Sequence, residues 1–130
     1  VKSHTPALVL IEKDDITLEL YQRELRKSFT VFGFTETDEV LETIANQDVE
    51  AVVIEPEIQF GKGWDLIRKI KSNSPTQHLP VIVCSTREAG STHADAEVAL
   101  CLTKPVLPKT LREKTLEVIQ QQKGSQKPHG

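Results

Sequence analysis

The stretch Ala51-Val52-Val53-Ile54-Glu55 constrains this chain more than any other. A continuous apolar run stops abruptly at a carboxylate. An apolar run without polar alternation suits a strand buried on both faces, as in a parallel sheet. In open α/β sheets the working groups lie just past the carboxyl ends of the strands. Glu55 therefore stands where such a domain does its chemistry. A turn-rich loop carrying Gly61 and Gly63 follows, and a helical pattern begins at Trp64.

The rest of the chain repeats that plan. Ala7–Ile11 reads as a first strand, ending at Glu12-Lys13-Asp14-Asp15. Asp14 or Asp15 suits a helix cap. Ile16, Leu20, Tyr21 and Leu25 then fall at helical spacing, to an end near Ser28. Thr30–Phe34 suits a short edge strand. Thr37 or Asp38 opens a helix with Val40, Leu41 and Ile44 on one face. Trp64, Leu66, Ile67 and Ile70 carry the next helix, closed by Ser72-Asn73-Ser74-Pro75. Pro80–Ser85 is a strand that runs into the hydroxyl pair Ser85-Thr86. Residues 87–97 are polar and weakly patterned, with room for a short helix only. Val98–Leu102 is the last strand, followed by Thr103-Lys104-Pro105. Pro108 suits a helix first turn; Leu111, Thr115 or Leu116, Val118 and Ile119 give that helix its apolar face. Five strand–helix alternations predict an α/β, doubly wound five-stranded parallel sheet, with helices on both faces and right-handed crossovers. The expected organisation is a disordered 1–6, a domain over 7–120, and a disordered tail or linker over 121–130. The first residue is Val1 rather than Met, which suggests a piece of a longer chain.

The charge excludes some functions. At a net −3 the chain has no basic footprint for nucleic acid. No apolar run approaches the roughly 18 residues that span a bilayer, and the polar start Val1-Lys2-Ser3-His4 is no secretory signal. Cys84 and Cys101 lie inside apolar runs and read as free thiols, which suits a reducing cytoplasm. Gly61-Lys62-Gly63 lacks the spacing of a phosphate loop. Trp64 reads as a packing residue; Phe60, in the loop before it, is the better candidate for touching a partner, and an aromatic folded back onto the domain fits that position equally well.

The residues just past the strand ends are Glu12 and Lys13, Glu55, Ser85 and Thr86, and Lys104 before Pro105. This ordered set resembles the receiver domain of response regulators in two-component signalling, over roughly residues 6–120. The resemblance implies a flavodoxin-like fold with sheet order 2-1-3-4-5. It also implies a chemistry. An aspartate after the third strand becomes an acyl phosphate, and two acids after the first strand help to hold Mg²⁺. The hydroxyl after the fourth strand and the lysine after the fifth bind phosphoryl oxygens.

The match departs from that pattern where the chemistry is done. Glu55 stands at the acceptor position, and Lys13 replaces one acid of the pair. Cys101, three before Lys104, takes the place of an aromatic switch. Ser85 and Lys104 are 19 positions apart, shorter than the family usually shows, so the helix between them should be trimmed. With Lys13 and Lys104 opposite Glu12 and Glu55, the pocket charge falls near zero, against roughly −2 for a phosphorylatable site. Mg²⁺ binding is therefore expected to be weak or absent, with Glu12, Glu55 and Glu57 as the ligands if it occurs; no other cofactor is expected. Taking Asp14 and Asp15 as the acid pair instead would force Glu12 and Lys13 into the buried strand, at several kcal/mol per charge. The leading expectation is a non-enzymatic, atypical receiver that is not phosphorylated. It would act through a protein partner: a sensor kinase, an output domain or another regulator. Homodimerisation is common in the family, and the short 87–97 segment argues against it. A working Mg²⁺-dependent receiver and a small flavodoxin-like ligand binder are the alternatives.

Overall fold

The computed structural model describes residues 5–86 and 97–125. Five parallel strands form one sheet in the order β2-β1-β3-β4-β5. They are β1 (Ala7–Ile11), β2 (Thr30–Phe34), β3 (Val49–Ile54), β4 (Val81–Ser85) and β5 (Leu100–Thr103). Among the described residues four helices connect or close them: α1 (Asp15–Leu25), α2 (Val40–Asn46), α3 (Ile58–Ser72) and α4 (Pro108–Ser125). The topology is the flavodoxin-like one that the sequence predicts.

Successive side chains of a strand point to opposite faces, and the apolar runs supply both. Val9, Ile11, Val52, Ile54, Val81 and Val83 face α2 and α3, where Val40, Ile44, Leu66, Ile67 and Ile70 cover them. Leu8, Leu10, Ala51, Val53, Ile82 and Cys84 face α1 and α4, meeting Tyr21, Leu25, Leu111, Val118 and Ile119. Each fully buried aliphatic side chain contributes about 1.5–3 kcal/mol of transfer free energy. That is why the runs Leu8–Ile11 and Ala51–Ile54 hold no polar residue before Glu12 and Glu55.

Several boundaries differ from the sequence reading, each for a physical reason. In α1 the inward positions are Leu18, Tyr21 and Leu25, while Ile16 and Leu20 are exposed. The helix turns its Leu18, Tyr21 and Leu25 face to the sheet and α4, and Asp14 caps it, its carboxylate accepting the Thr17 N–H at 2.9 Å. β5 starts and ends later than expected, since its ladder aligns Leu100 with Ile82 and Thr103 with Ser85. In α4, Thr115 is buried and Leu116 is exposed. This helix also runs past 120, through part of the expected tail, to Ser125. Lys123 pairs with Glu50 at 2.9 Å and the Gln122 side-chain amide donates to the His78 carbonyl, which ties the last turns to the sheet. Of the expected disordered start, Pro6 is engaged, its carbonyl accepting the Thr30 N–H at 2.9 Å. The short helix expected within 87–97 falls on residues that, apart from Glu97, lie outside the described ones, as do 1–4 and 126–130.

The β3–α3 connection is the irregular part. Helical residues flank Gln59, Phe60 and Gly61, whose φ values are 48°, 58° and 90°. The regular helix therefore starts close to the expected Trp64, after a turn of left-handed backbone. Gly63 is buried against the loop that leaves β3: a Cβ there would sit 2.6 Å from Pro56 Cα and 2.6 Å from its carbonyl oxygen. Both are backbone atoms, so α3 would have to move. Gly63→Ala is expected to destabilise the fold by about 1–3 kcal/mol, read as a lower midpoint in urea with an unchanged slope; an unchanged midpoint would mean that the contact relaxes freely.

Candidate functional site

The sheet places three charged side chains together at its carboxyl edge. β1 and β3 are adjacent, and the Glu55 N–H donates to the Ile11 carbonyl at 2.9 Å. Glu12 and Glu55 thus leave neighbouring strands at the same level, and each is 2% exposed. Lys104 comes from β5, its N–H donating to the Ser85 carbonyl at 2.7 Å, and the Lys104–Pro105 peptide is cis. The Lys104 ammonium lies 2.6 Å from Glu12 Oε1 and 3.3 Å from Glu55 Oε1. Its side chain is only 14% exposed.

The two carboxylates are held differently. Glu12 Oε1 accepts from Lys104, and Glu12 Oε2 accepts the Asp14 N–H at 3.2 Å. Glu55 Oε2 accepts the Glu57 N–H at 3.1 Å. Glu55 Oε1 is near enough to Lys104 for ionic attraction, but no group among the described residues donates a hydrogen bond to it. Burial alone lowers the pKa of Lys104. The Glu12 hydrogen bond and the charges of Glu12 and Glu55 outweigh that effect and raise it. The lysine is firmly cationic.

Other predicted site residues are placed as follows. Ser85 is buried at the end of β4, on the same edge. Cys101 is half-buried against the core on the α2–α3 side, a free thiol whose pKa burial raises. Lys13 is not part of the buried group. Its side chain is exposed, because consecutive residues leaving a strand alternate in direction and Glu12 takes the inward one. The pocket charge is therefore that of Glu12, Glu55 and Lys104, net −1 rather than near zero. Lys104, not Lys13, is the ammonium between the acids. Asp14 and Asp15, the alternative acid pair, are both exposed. Asp14 is engaged as the cap of α1, and its pKa is lowered by the hydrogen bonds from the Thr17 hydroxyl and N–H.

Glu57 also stands apart from the pair. Its carboxylate accepts the Trp64 indole N–H at 3.1 Å. Mg²⁺ demands near-octahedral oxygen ligation. Among the described residues no three acidic, histidine or cysteine side chains gather to offer it, and the two nearest carboxylates already share a lysine. This donor set does not fit a divalent cation while Lys104 holds its place.

Two contributors were not legible as site residues. Tyr21 donates from its hydroxyl to the Val106 carbonyl at 3.2 Å, beneath the Lys104 loop, and lies 3.9 Å from Cys84 Sγ. Burial, and then Cys84, raise the Tyr21 pKa. Its place among the core residues of α1 gave no sign of this role. Gln59 accepts the Thr37 N–H at 3.0 Å and the Thr37 hydroxyl at 3.1 Å, joining the β3–α3 and β2–α2 loops. No spacing rule points to that pairing.

This arrangement of sheet and pocket is that of a receiver domain. Residues 8–116 match the family described as the response regulator receiver domain, and the chain belongs to it. No curated protein matches the sequence. Among solved structures it is similar to a sensor protein from Polaromonas sp. JS666, at 23% identity and a TM-score of 0.81, covering 90% of this chain and 98% of that one. A CheY-like receiver domain protein from Methanospirillum hungatei JF-1 superposes at a TM-score of 0.83 with 18% identity, covering 94% and 99%. The response regulator DrrB of Thermotoga maritima, an OmpR/PhoB homologue, gives 0.78 at 17% identity; 91% of this chain aligns with 54% of that one.

Removing the shared cation should be costly. Lys104→Ala leaves two buried carboxylates facing each other and is expected to lose about 3–5 kcal/mol of stability, measured by urea unfolding at neutral pH; a loss under about 1 kcal/mol would show that the charges are solvated. Because the folded pKa of Lys104 is raised, its contribution is fully present below the unfolded lysine value, about 10.4. It disappears as pH rises through the folded value. The wild type should therefore lose stability at alkaline pH more steeply than Lys104→Met, and parallel curves for the two would contradict this assignment.

Proposed function

We propose that this receiver domain is a non-enzymatic, constitutive protein–protein interaction module that does not accept a phosphoryl group. The observation that carries the reading is the Lys104 ammonium lodged between buried Glu12 and Glu55, 2.6 Å and 3.3 Å away. A phosphoryl acceptor needs its nucleophile free and a divalent cation beside it to offset the incoming oxygens. Here a lysine takes the place of that cation. Glu55 also carries one methylene more than aspartate, and a misplacement of about 1 Å can cost on the order of 100-fold in rate.

The Glu55–Lys104 contact also bears on the signalling state. In the family pattern the lysine after the fifth strand binds a phosphoryl oxygen. In this chain it already meets a carboxylate oxygen of the acceptor side chain. The half-buried Cys101 supplies no ring to swing as a switch. Both features support one fixed conformation rather than two. The partner is another signalling protein, a kinase, an output domain or a second regulator, in a cytoplasmic setting. Among the described residues no helix is long and apolar enough to cross a membrane.

An amide NMR titration with Mg²⁺, and then with Mg²⁺ plus beryllofluoride, tests the proposal. The resonances of Glu12, Glu55, Ser85 and Lys104 are expected to stay in place at millimolar Mg²⁺ and after beryllofluoride. Saturable shifts at those positions that spread into α4 would identify a live phospho-acceptor and end this reading.

A further inference from the structure

We infer that the β3–α3 loop is the docking element of this domain, with Phe60 the anchor that enters an apolar pocket, rimmed by Lys or Arg, on another protein. This rests on the interaction-module reading and adds a surface to it. Phe60 is fully exposed, at 108% of its reference area. Aromatic anchors in apolar pockets dominate the energetics of protein interfaces. The Phe60 backbone is the second unusual feature. Gln59 and Phe60 both hold a left-handed conformation ahead of Gly61, with φ 48° and 58°. Side-chain-bearing residues keep such angles only where the surroundings over-determine them.

Those surroundings can be named. Glu55, held by Lys104, accepts the Glu57 N–H. Glu57 accepts the Trp64 indole N–H, and the Gly61 N–H closes on the Glu57 carbonyl at 3.4 Å. The Gln59 side chain is clamped by the Thr37 N–H and hydroxyl. Gly63 seats the start of the regular helix on Pro56 with no room to spare. Every one of these contacts braces the loop, while the Phe60 ring is left in solvent. An aromatic on a fixed mount loses little entropy when it binds.

The chemistry of the partner follows from the neighbouring charge. The Gln59 clamp sets Phe60 beside the β2–α2 loop, where Glu36, Asp38 and Glu39 are all exposed. Asp38 also lines the groove that this loop forms with α3, together with Lys62 and Lys69. On the loop side the rim is acidic, so the complementary surface is an apolar pocket with basic residues along the edge that meets Glu36, Asp38 and Glu39. Such charge speeds encounter and makes it sensitive to salt.

The experiment places a photo-cross-linking benzoylphenylalanine at position 60 of the full chain in its native cells, and at exposed Leu107 and Ile16 as comparison positions. The result expected is one adduct specific to position 60. Mass spectrometry should map it to a pocket with Lys or Arg at its edge, and the purified partner should bind the wild type directly. Phe60→Ala should weaken that binding roughly 30-fold. Glu36→Lys combined with Asp38→Lys should slow association and flatten its salt dependence, while the Phe60→Ala spectrum stays folded. The inference is overturned if position 60 gives no adduct, if the adduct is a second copy of this chain, or if Phe60→Ala binds as the wild type does. An Mg²⁺ response of the pocket together with a Phe60-dependent partner would instead remove the constitutive reading and keep the docking surface.

Discussion

Two carboxylates buried side by side are the constraint on which this structure depends. The parallel sheet brings the ends of β1 and β3 to one level, and each delivers an acid that is almost fully shielded from water. Isolated, each would cost several kcal/mol. Lys104 resolves the conflict by reaching across from β5 to both. The fold therefore needs β5 in register with β4, which the Ser85–Lys104 backbone bond provides. Tyr21 holds the following loop from the α1 side. Charge compensation and strand register here are one requirement seen from two sides.

That requirement reaches into the loop after β3. Glu55 is paired ionically with Lys104 and accepts the Glu57 N–H, and Glu57 in turn accepts the Trp64 indole N–H. The chain of contacts runs without a gap from the buried pocket to the first regular turn of α3. Across such a chain, pocket geometry and loop geometry are set together.

The sequence disclosed the sheet well, because its signal is coarse. Runs such as Ala51–Ile54 and Val81–Cys84 can only be buried on both faces, and turn residues separate them cleanly. Helix faces were less legible. Ile16 and Leu20 fit a helical period as well as Leu18 and Tyr21 do, and packing against the sheet and α4 decides which set turns inward. In the pocket, Glu12, Glu55 and Lys104 were identifiable from their positions past strand ends. Lys13 was misplaced because a run of charges conceals which member points in. The exposed Lys13 and the turned-away Glu57 show that adjacency in sequence does not establish membership of a site. Gln59 was invisible for another reason: its partner Thr37 is far off in sequence, and an amide–hydroxyl pair leaves no pattern.

The last turns of α4 reach the opposite end of the sheet, where Lys123 meets Glu50 at the start of β3 and Gln122 meets His78 just before β4. Half-exposed pairs of this kind contribute little free energy, about 0–1 kcal/mol, yet they fix where tension travels. A pull applied at Ser125 does not simply peel the helix away from its end. It first loads these two small latches, and the packed face of Val118 and Ile119 lies beyond them. Those two contacts are a weak fuse at the outer end of the helix, at the other end of the sheet from the buried lysine.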